Sequence, residues 1–572
     1  MTGETPDDPG QHAAFMLGPE SNLFADADPA GLGRALGAVF TGALANPAAA
    51  AEAGLRYWAA MAQIPAVTLA NWLGRPIPSP VTLDPRDKRF TDPAWADNPA
   101  FFSLRLSYQA FADFTGRLVS AAGLEPQQEA KARLMSGLVV DALAPTNYLP
   151  TNPAALKRAF ETGGASVVKG MRNFVDDLRH NNGRPRQVDT SPFTLGDNLA
   201  ATPGQVVFRN ELMELLQYSP QTDQVHATPL LFSPPWINKY YVMDLAPGRS
   251  FAEWAVQHER TVFAISYRNP SPEMSGVTLD DYLVHGPQQA LDVIQDITGA
   301  PSVDIVGLCL GGALTAITDA YLAAGAAADQ DRIGTVTLLN TLLDYSEPGV
   351  LGAFTDLETV RRLEAQMERE GHLAASAMAG TFDMLRANDL IFSYVAANWL
   401  MGQDPPAFDI LAWNADSTRM PAAMHAFYLR NFYVENNLAQ GLLVVAGRRV
   451  NLADVKHPAY VVSAENDHIV PWRSAYATTN LVSGPVRFVL SNGGHIAGIV
   501  NPPGPKGWYL VGEKHPKSAD KWREKTTRHP GSWWQDWAEW STENSGPLTD
   551  PPPTGSGTYP VLYPAPGEYV HT

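Results

Sequence analysis

Thiol chemistry is almost absent from this chain: among 572 residues there is one cysteine, Cys309. A single cysteine excludes an intrachain disulfide framework and a cysteine-rich metal site. Basic charge is also scarce. Lys and Arg number 41 against 59 Asp and Glu, a formal net charge of −18. Nucleic-acid binders normally present a basic face, so no nucleic-acid partner is expected. Long apolar runs are missing too. None reaches the roughly 18–20 residues that span a bilayer, so no transmembrane segment is expected. The Ala-rich stretch 31–74 comes nearest, but Arg34, Asn46-Pro47, Glu52 and Arg56 interrupt it. The opening MTGETPDDPG lacks the basic start and apolar core of a signal peptide. Cytoplasmic residence is the expectation. His and carboxylate pairs at ligand spacing are absent, so no metal is expected; no bound cofactor is expected either.

What is present is a globular composition, 45% hydrophobic and 17% charged, rich enough in apolar residues for at least one large core. The texture divides the chain. Residues 1–195 read as a mainly helical domain. Segments 99–124 and 129–142 carry apolar residues at helical spacing, between Pro-rich loops such as GRPIPSPVTLDPRD. Residues 196–572 read as α/β. TPLLFSPPWI, TVFAISYR, SVDIVGL, TVTLLNT, AYVVSAEN and VRFVLSNGG are short apolar runs, each ended by a turn and separated by helical stretches. That alternation predicts a doubly wound parallel sheet. Residues 344–440 hold no clear strand and are expected to form a helical cap insertion over a site. The C-terminal part, with GSWWQDWAEW, should pack on the body, while the final Pro-rich segment could be loosely held.

Cys309 lies in GLCLGG, where an apolar strand ends and a helix-forming run begins. G-x-C-x-G in that context is a nucleophile elbow of the kind α/β-hydrolases use, with cysteine where many esterases carry serine. The glycines are needed because the turn is sharp and larger side chains would collide with strand and helix. The fold places the acid and then the base on loops after later strands. Asp467, in ENDHIVP after AYVVSAEN, and His495, in NGGHIAG after VRFVLS, stand in that order. Taken singly, each has a bland reading. A buried Cys is usually a small hydrophobe, Asp467 could be a turn former beside a competing His468, and His495 could be a loop residue. Three agreeing positions favour a Cys-Asp-His constellation. The oxyanion hole should combine the backbone N–H of Leu310 with one from SPPWINKYY, best placed at Ile237. That loop also reads as an ordinary packed aromatic loop.

Longer motifs carry a resemblance. DNLAATPGQVVFRNELMELLQY, PLLFSPPWINKYYVMDL, VFAISYRNP, GLCLGG, LRANDLIFSYV, AWNADSTRMPAAMHAFYLRNFYVENNL, ENDHIVPW, GGHIAGIVNPP and GSWWQDW resemble the polyhydroxyalkanoate synthases over residues 84–570. Length and the full N-terminal region look like class I, the single-subunit type; class II shares the architecture. The resemblance implies an α/β-hydrolase fold and polymerisation of (R)-3-hydroxyacyl-CoA, short-chain such as 3-hydroxybutyryl-CoA, into polyester with release of CoA. It implies Cys309 as nucleophile, His495 as general base and Asp467 as the acid beside it. It also implies a homodimer attached to polyester granules. Asp467 either orients His495 or helps activate a hydroxyl. Asn238 and Arg386 are candidates for holding CoA, with a structural hydrogen bond or surface charge as the equal alternative. Trp413, Phe427, Tyr428 and Phe432 are candidates for an apolar lining of the cap, or ordinary core. The rival functions are a Cys-dependent thioesterase or esterase of the same fold and a non-catalytic granule scaffold.

Overall fold

The computed structural model describes residues 29–85 and 87–572, and the acidic opening decapeptide lies outside them. The described chain forms two compact units. One comprises the described residues up to Asp189 together with Ala379–Pro406; the other comprises Thr190–Met378 and Ala407–Thr572. Among the described residues no helix is long and apolar enough to cross a membrane.

The first unit is helical. Helix α1 (Pro29–Ala45) is followed by α2 (Pro47–Trp72) and α3 (Pro99–Ala121). Proline opens α2 and α3 at a position whose N–H would have had no helical partner. Asn98 caps α3, its Oδ1 accepting from the Ala100 amide at 3.0 Å. Helix α2 buries Ala60, Ile64 and Val67 against Val81, Leu106 and Ala110. Beside this core Arg89 donates to Asp141 at 2.9 Å and to the Tyr108 hydroxyl at 2.8 Å. Helix α4 (Ala165–His180) carries Asp177, a buried carboxylate that accepts from the Trp399 indole at 2.8 Å. Asn398 donates to the Arg186 carbonyl at 2.6 Å. A Cβ on Gly170 would lie 2.0 Å from the Trp399 carbonyl oxygen. The expected insertion at 344–440 is therefore divided. Its middle, 379–406, packs with the N-terminal helices, and only its flanks stay with the second unit.

The second unit is built on one eleven-stranded sheet. Its strands in chain order are β1 (Gly204–Arg209), β2 (Met213–Tyr218), β3 (Leu230–Ser233), β4 (Val262–Tyr267), β5 (Val303–Leu308) and β6 (Ile333–Leu339). After the insertion come β7 (Ala459–Ala464), β8 (Val486–Ser491), β9 (Trp508–Val511), β10 (Thr527–Pro530) and β11 (Tyr563–Pro564). The spatial order is β10-β9-β8-β7-β6-β5-β3-β4-β2-β1-β11. Pairs β4–β3, β3–β5, β5–β6, β6–β7 and β7–β8 are parallel, and the remaining edge pairings are antiparallel. The six strands expected from sequence are the six parallel ones. They are nearly all buried because helices cover both faces. Helix α5 (Leu310–Ala323) is apolar and buried on almost every side. Helix α6 (Trp533–Asn544) packs Trp533, Trp534 and Trp537 around Phe251 with ring centroids 4.8–5.1 Å apart.

The Pro-rich tail, read as loosely held, is clamped. Strand β11 pairs with β1, and Tyr569 and Val570 are buried. The fully buried Glu214 carboxylate on β2 accepts from the Glu568 and Tyr569 amides at 3.0 Å and from the Tyr563 hydroxyl at 2.6 Å.

Candidate active site

The site lies at the carboxyl ends of β5, β6, β7 and β8, where loops leave a parallel sheet and helices begin. Cys309 follows β5 directly and stands at φ 52°, ψ −114°. An L-residue there is in a sparsely populated region that costs roughly 1–3 kcal/mol and persists only when its surroundings enforce it. They do. The Cys309 amide donates to the Leu339 carbonyl at 2.8 Å, and α5 starts at the next residue. The surrounding glycines are packed to the limit. A Cβ on Gly307 would lie 2.5 Å from the Gly312 Cα, one on Gly311 would lie 2.1 Å from the Ser233 carbonyl oxygen, and one on Gly312 would lie 1.9 Å from the Thr341 hydroxyl.

Asp467 and His495 arrive on the loops after β7 and β8. One Asp467 oxygen accepts from the Ile469 and Val470 amides, each at 2.9 Å, which fixes the carboxylate. The other meets His495 Nδ1 at 2.7 Å. Both side chains are buried, whereas Cys309 is partly exposed. The Cys309 sulfur is close enough to act on the same imidazole. Burial alone would push the His495 pKa down. The Asp467 carboxylate and the Cys309 sulfur outweigh it, and the pKa is pushed up to about 10. Asn340, just after β6, donates its amide to the His495 carbonyl and holds the loop bearing His495 in place. Sequence reasoning missed Asn340; its only local mark is φ 43°, invisible without coordinates. His468, the competing neighbour, is not the histidine that meets Asp467.

The loop after β3 carries Ile237 and Asn238, both half-buried. The Ile237 N–H has no hydrogen-bond partner among the described residues. Leu310 is the first residue of α5, whose leading N–H groups lack helical acceptors. Asn238 stands at φ 64°, and its backbone N–H donates to the Thr418 hydroxyl at 2.8 Å. Arg386 belongs to the other unit, where it pairs with Asp389.

Aromatic residues gather near the sulfur. Tyr345, Tyr428, Phe432 and Tyr433 form a cluster with ring centroids 4.9–6.3 Å apart. Trp236 joins it at 6.0 Å from Tyr428. Burial, with the Cys309 sulfur adding to it, holds the Tyr345, Tyr428 and Tyr433 hydroxyls above their ordinary pKa, so all three are neutral. Of the expected lining residues, Tyr428 and Phe432 are in this cluster. Trp413 instead donates to the Lys239 carbonyl at 2.8 Å, and Phe427 is half-buried. Tyr345 and Tyr433 were not anticipated.

Among the described residues no group of three or more His, Cys, Asp or Glu is placed to hold a metal ion.

The family described as "Poly-beta-hydroxybutyrate polymerase (PhaC) N-terminus" matches residues 86–255, and "alpha/beta hydrolase fold" matches residues 225–502. The poly(3-hydroxyalkanoate) polymerase subunit PhaC of Rhizobium meliloti is 42% identical over 507 residues, 88% of this chain and 82% of the relative. The poly(3-hydroxyalkanoate) polymerase of Methylorubrum extorquens is 39% identical over 570 residues, 99% of this chain and 93% of the relative. The subunit PhaC of Cupriavidus necator is 40% identical over 492 residues, 85% and 83% of the two chains. With identity at that level along nearly its whole length, and with an α/β-hydrolase sheet carrying cysteine at its elbow, the chain belongs to the poly(3-hydroxyalkanoate) polymerase family.

Proposed function

We propose that the protein polymerises (R)-3-hydroxyacyl-CoA, with short-chain units such as 3-hydroxybutyryl-CoA as the first substrates to test. Cys309 is the nucleophile, His495 the base and Asp467 its partner. The observation that carries this reading is the Asp467–His495 hydrogen bond at 2.7 Å beside an elbow cysteine, in a chain of this family.

In the first step the Cys309 sulfur attacks the thioester carbonyl, with the proton held on His495. The bond to the CoA sulfur breaks, and His495 delivers its proton to that leaving sulfur. Cys309 is now acylated and His495 neutral. In the second step a 3-hydroxyl attacks the Cys309 thioester. His495 takes the hydroxyl proton, an ester forms and the Cys309 sulfur leaves. One ester and one CoA thiol result, and the site is restored. The Asp467 carboxylate holds the imidazole and stabilises its charged form in both steps. The oxyanion sits between the Leu310 and Ile237 amides. Sulfur suits the task because one thioester replaces another, which keeps the acyl group activated for the second attack. The tyrosine cluster walls the acyl site and keeps water from competing with the hydroxyl.

Granule attachment follows from the same reading. Helices α1 and α2 expose Phe40, Leu44, Leu55, Trp58, Leu69 and Trp72. Glu52 and Arg56 are the only charges on α2, and they pair with each other at 2.8 Å. A surface so poor in cations suits a neutral polyester rather than an anionic lipid. The active form is a homodimer, which a loss of specific activity on dilution to monomer would register.

The deciding experiment supplies purified protein with (R)-3-hydroxybutyryl-CoA and follows free CoA and insoluble polyester together, with Cys309→Ala as the control. CoA release with polymer, absent from Cys309→Ala, is expected. CoA release with soluble 3-hydroxybutyrate alone would make the protein a thioesterase.

A further inference from the structure

The mechanism above uses the Ile237 amide but does not say what holds it. The loop 234–239 is pinned at its start, where Gly311 packs directly on the Ser233 and Pro234 carbonyl groups. Its far end is Lys239, whose side chain is only 8% exposed. Burying an ammonium is costly unless it is paired and hydrogen-bonded. Here it is both. Lys239 Nζ lies 2.8 Å from Asp416 Oδ1 and donates to the Val570 carbonyl at 2.6 Å. Asp416 is itself fixed by the Tyr241 hydroxyl at 2.9 Å. The backbone of the same stretch is caught twice by the segment that carries Asp416. Trp413 Nε1 donates to the Lys239 carbonyl, and Thr418 Oγ1 accepts from the Asn238 amide, each at 2.8 Å.

We propose that Lys239 is a positioning residue: its buried ammonium ties the loop bearing the Ile237 amide to Asp416 of the insertion and to the Val570 carbonyl of the C-terminal tail, and so sets the oxyanion geometry. This rests on the oxyanion assignment given above. The tail matters here only through Val570, which Glu214 fixes by capping the preceding amides. A donor aimed at developing charge acts only if it is already in place when that charge appears. Three remote parts of the chain, at Gly311, 413–418 and Val570, thus converge on one short loop. The isolated requirement is a cation at 239 that can reach a carboxylate and a carbonyl at once.

The test uses the full-length protein and reads the rate of Cys309 acylation, as CoA released in a single turnover, with KM and the thermal midpoint beside it. Lys239→Met is expected to slow acylation about 10- to 100-fold, the scale of a displaced oxyanion donor, with KM within about twofold. Lys239→Arg keeps the cation and should stay within about threefold of the parent. Lys239→Met leaves Asp416 unpaired, so its thermal midpoint should fall. The double variant Lys239→Met/Asp416→Asn should recover the midpoint while acylation stays slow. Recovery of the rate along with the midpoint would reduce Lys239 to a structural tie and overturn the proposal, as would a parental rate in Lys239→Met. Ile237→Pro, which removes the N–H, separates the two layers. If it acylates at the parental rate, the donor assignment falls and the proposal with it. If it is slow while Lys239→Met is not, the donor stands and only the positioning role fails.

Discussion

Gly311 and Ser233 touch backbone to backbone: a Cβ added at 311 would lie 2.1 Å from the Ser233 carbonyl oxygen. Both partners are fixed, Gly311 in the first turn of α5 and Ser233 at the end of β3. The collision cannot be relieved by a rotamer. Gly311→Ala is therefore expected to push the loop carrying Ile237 away from the elbow. Overpacking of this kind costs about 1–3 kcal/mol, and acylation should fall at least about 100-fold if the oxyanion donor moves with the loop. Denaturant unfolding and CoA release measure the two effects. Gly116→Ala is the control, because nothing lies within 4 Å of a Cβ there. In the interior of α3 it should stabilise by about 0.5–1 kcal/mol.

The His495–Asp467 contact makes a prediction about pH. The imidazole pKa is raised from the ordinary 6.5 to about 10 in the folded protein, against burial, by Asp467 and Cys309. The folded state thus binds a proton that the unfolded chain releases above about pH 6.5. The stabilisation is fully present below that pH and is lost as pH rises toward 10. The thermal midpoint of the parent, minus that of His495→Gln, should therefore shrink between those limits. Cys309→Ala removes the sulfur's share and should shift this loss to lower pH. A difference that stays level with pH would contradict the raised pKa.

Much of this was legible before any coordinates, and the reason is local. The six parallel strands are continuous apolar runs because both sheet faces are covered, and each ends at a turn. Cys309, Asp467 and His495 stand immediately after three of them. What stayed hidden depends on contacts distant in sequence. Strand β2, MELLQY, buries Glu214 and Gln217, and a charged residue in the run disguised it. The carboxylate is tolerated only because the tail, some 350 residues on, supplies its donors. Tyr345 and Tyr433 join one cluster from opposite ends of the insertion. The division of that insertion follows from Trp399 and Asn398, whose partners Asp177 and Arg186 lie on helix α4 and in the loop after it. No periodicity in either segment announces such a pairing.

The aromatic cluster sets a prediction on water. Tyr428 packs against Tyr345, Phe432, Tyr433 and Trp236 and is almost fully buried. Tyr428→Ala removes the shared wall and should cost about 3–5 kcal/mol, the range for a large aromatic truncated in a core. The space opened beside Cys309 admits water. The fraction of acyl-CoA turned into free 3-hydroxy acid should rise relative to polyester, at a temperature where the variant remains folded. Tyr428→Phe keeps the wall and loses one hydroxyl, and it should retain the parental product ratio. Equal ratios in all three proteins would exclude the cluster as the water barrier.

Glu214 and the C-terminal tail give the last test. One Glu214 oxygen takes two amides, Glu568 and the buried Tyr569, and the other takes the Tyr563 hydroxyl. Glu214→Ala strands those donors, and each unsatisfied buried group costs about 1–3 kcal/mol. The tail should loosen before the body unfolds, because β11 is a two-residue edge strand and Glu214 gathers three of the tail's donors. Limited proteolysis should then trim the tail from Glu214→Ala and leave the parent intact. Glu214→Gln keeps one carbonyl for the two amides, and its NH2 can meet the tyrosine oxygen, so its tail should stay largely protected. Since Val570 supplies an acceptor to Lys239, loss of the tail should also slow acylation. A detached tail with parental acylation would separate the clamp from the chemistry. A tail that stays protected in Glu214→Ala would show that the carboxylate is not what holds it.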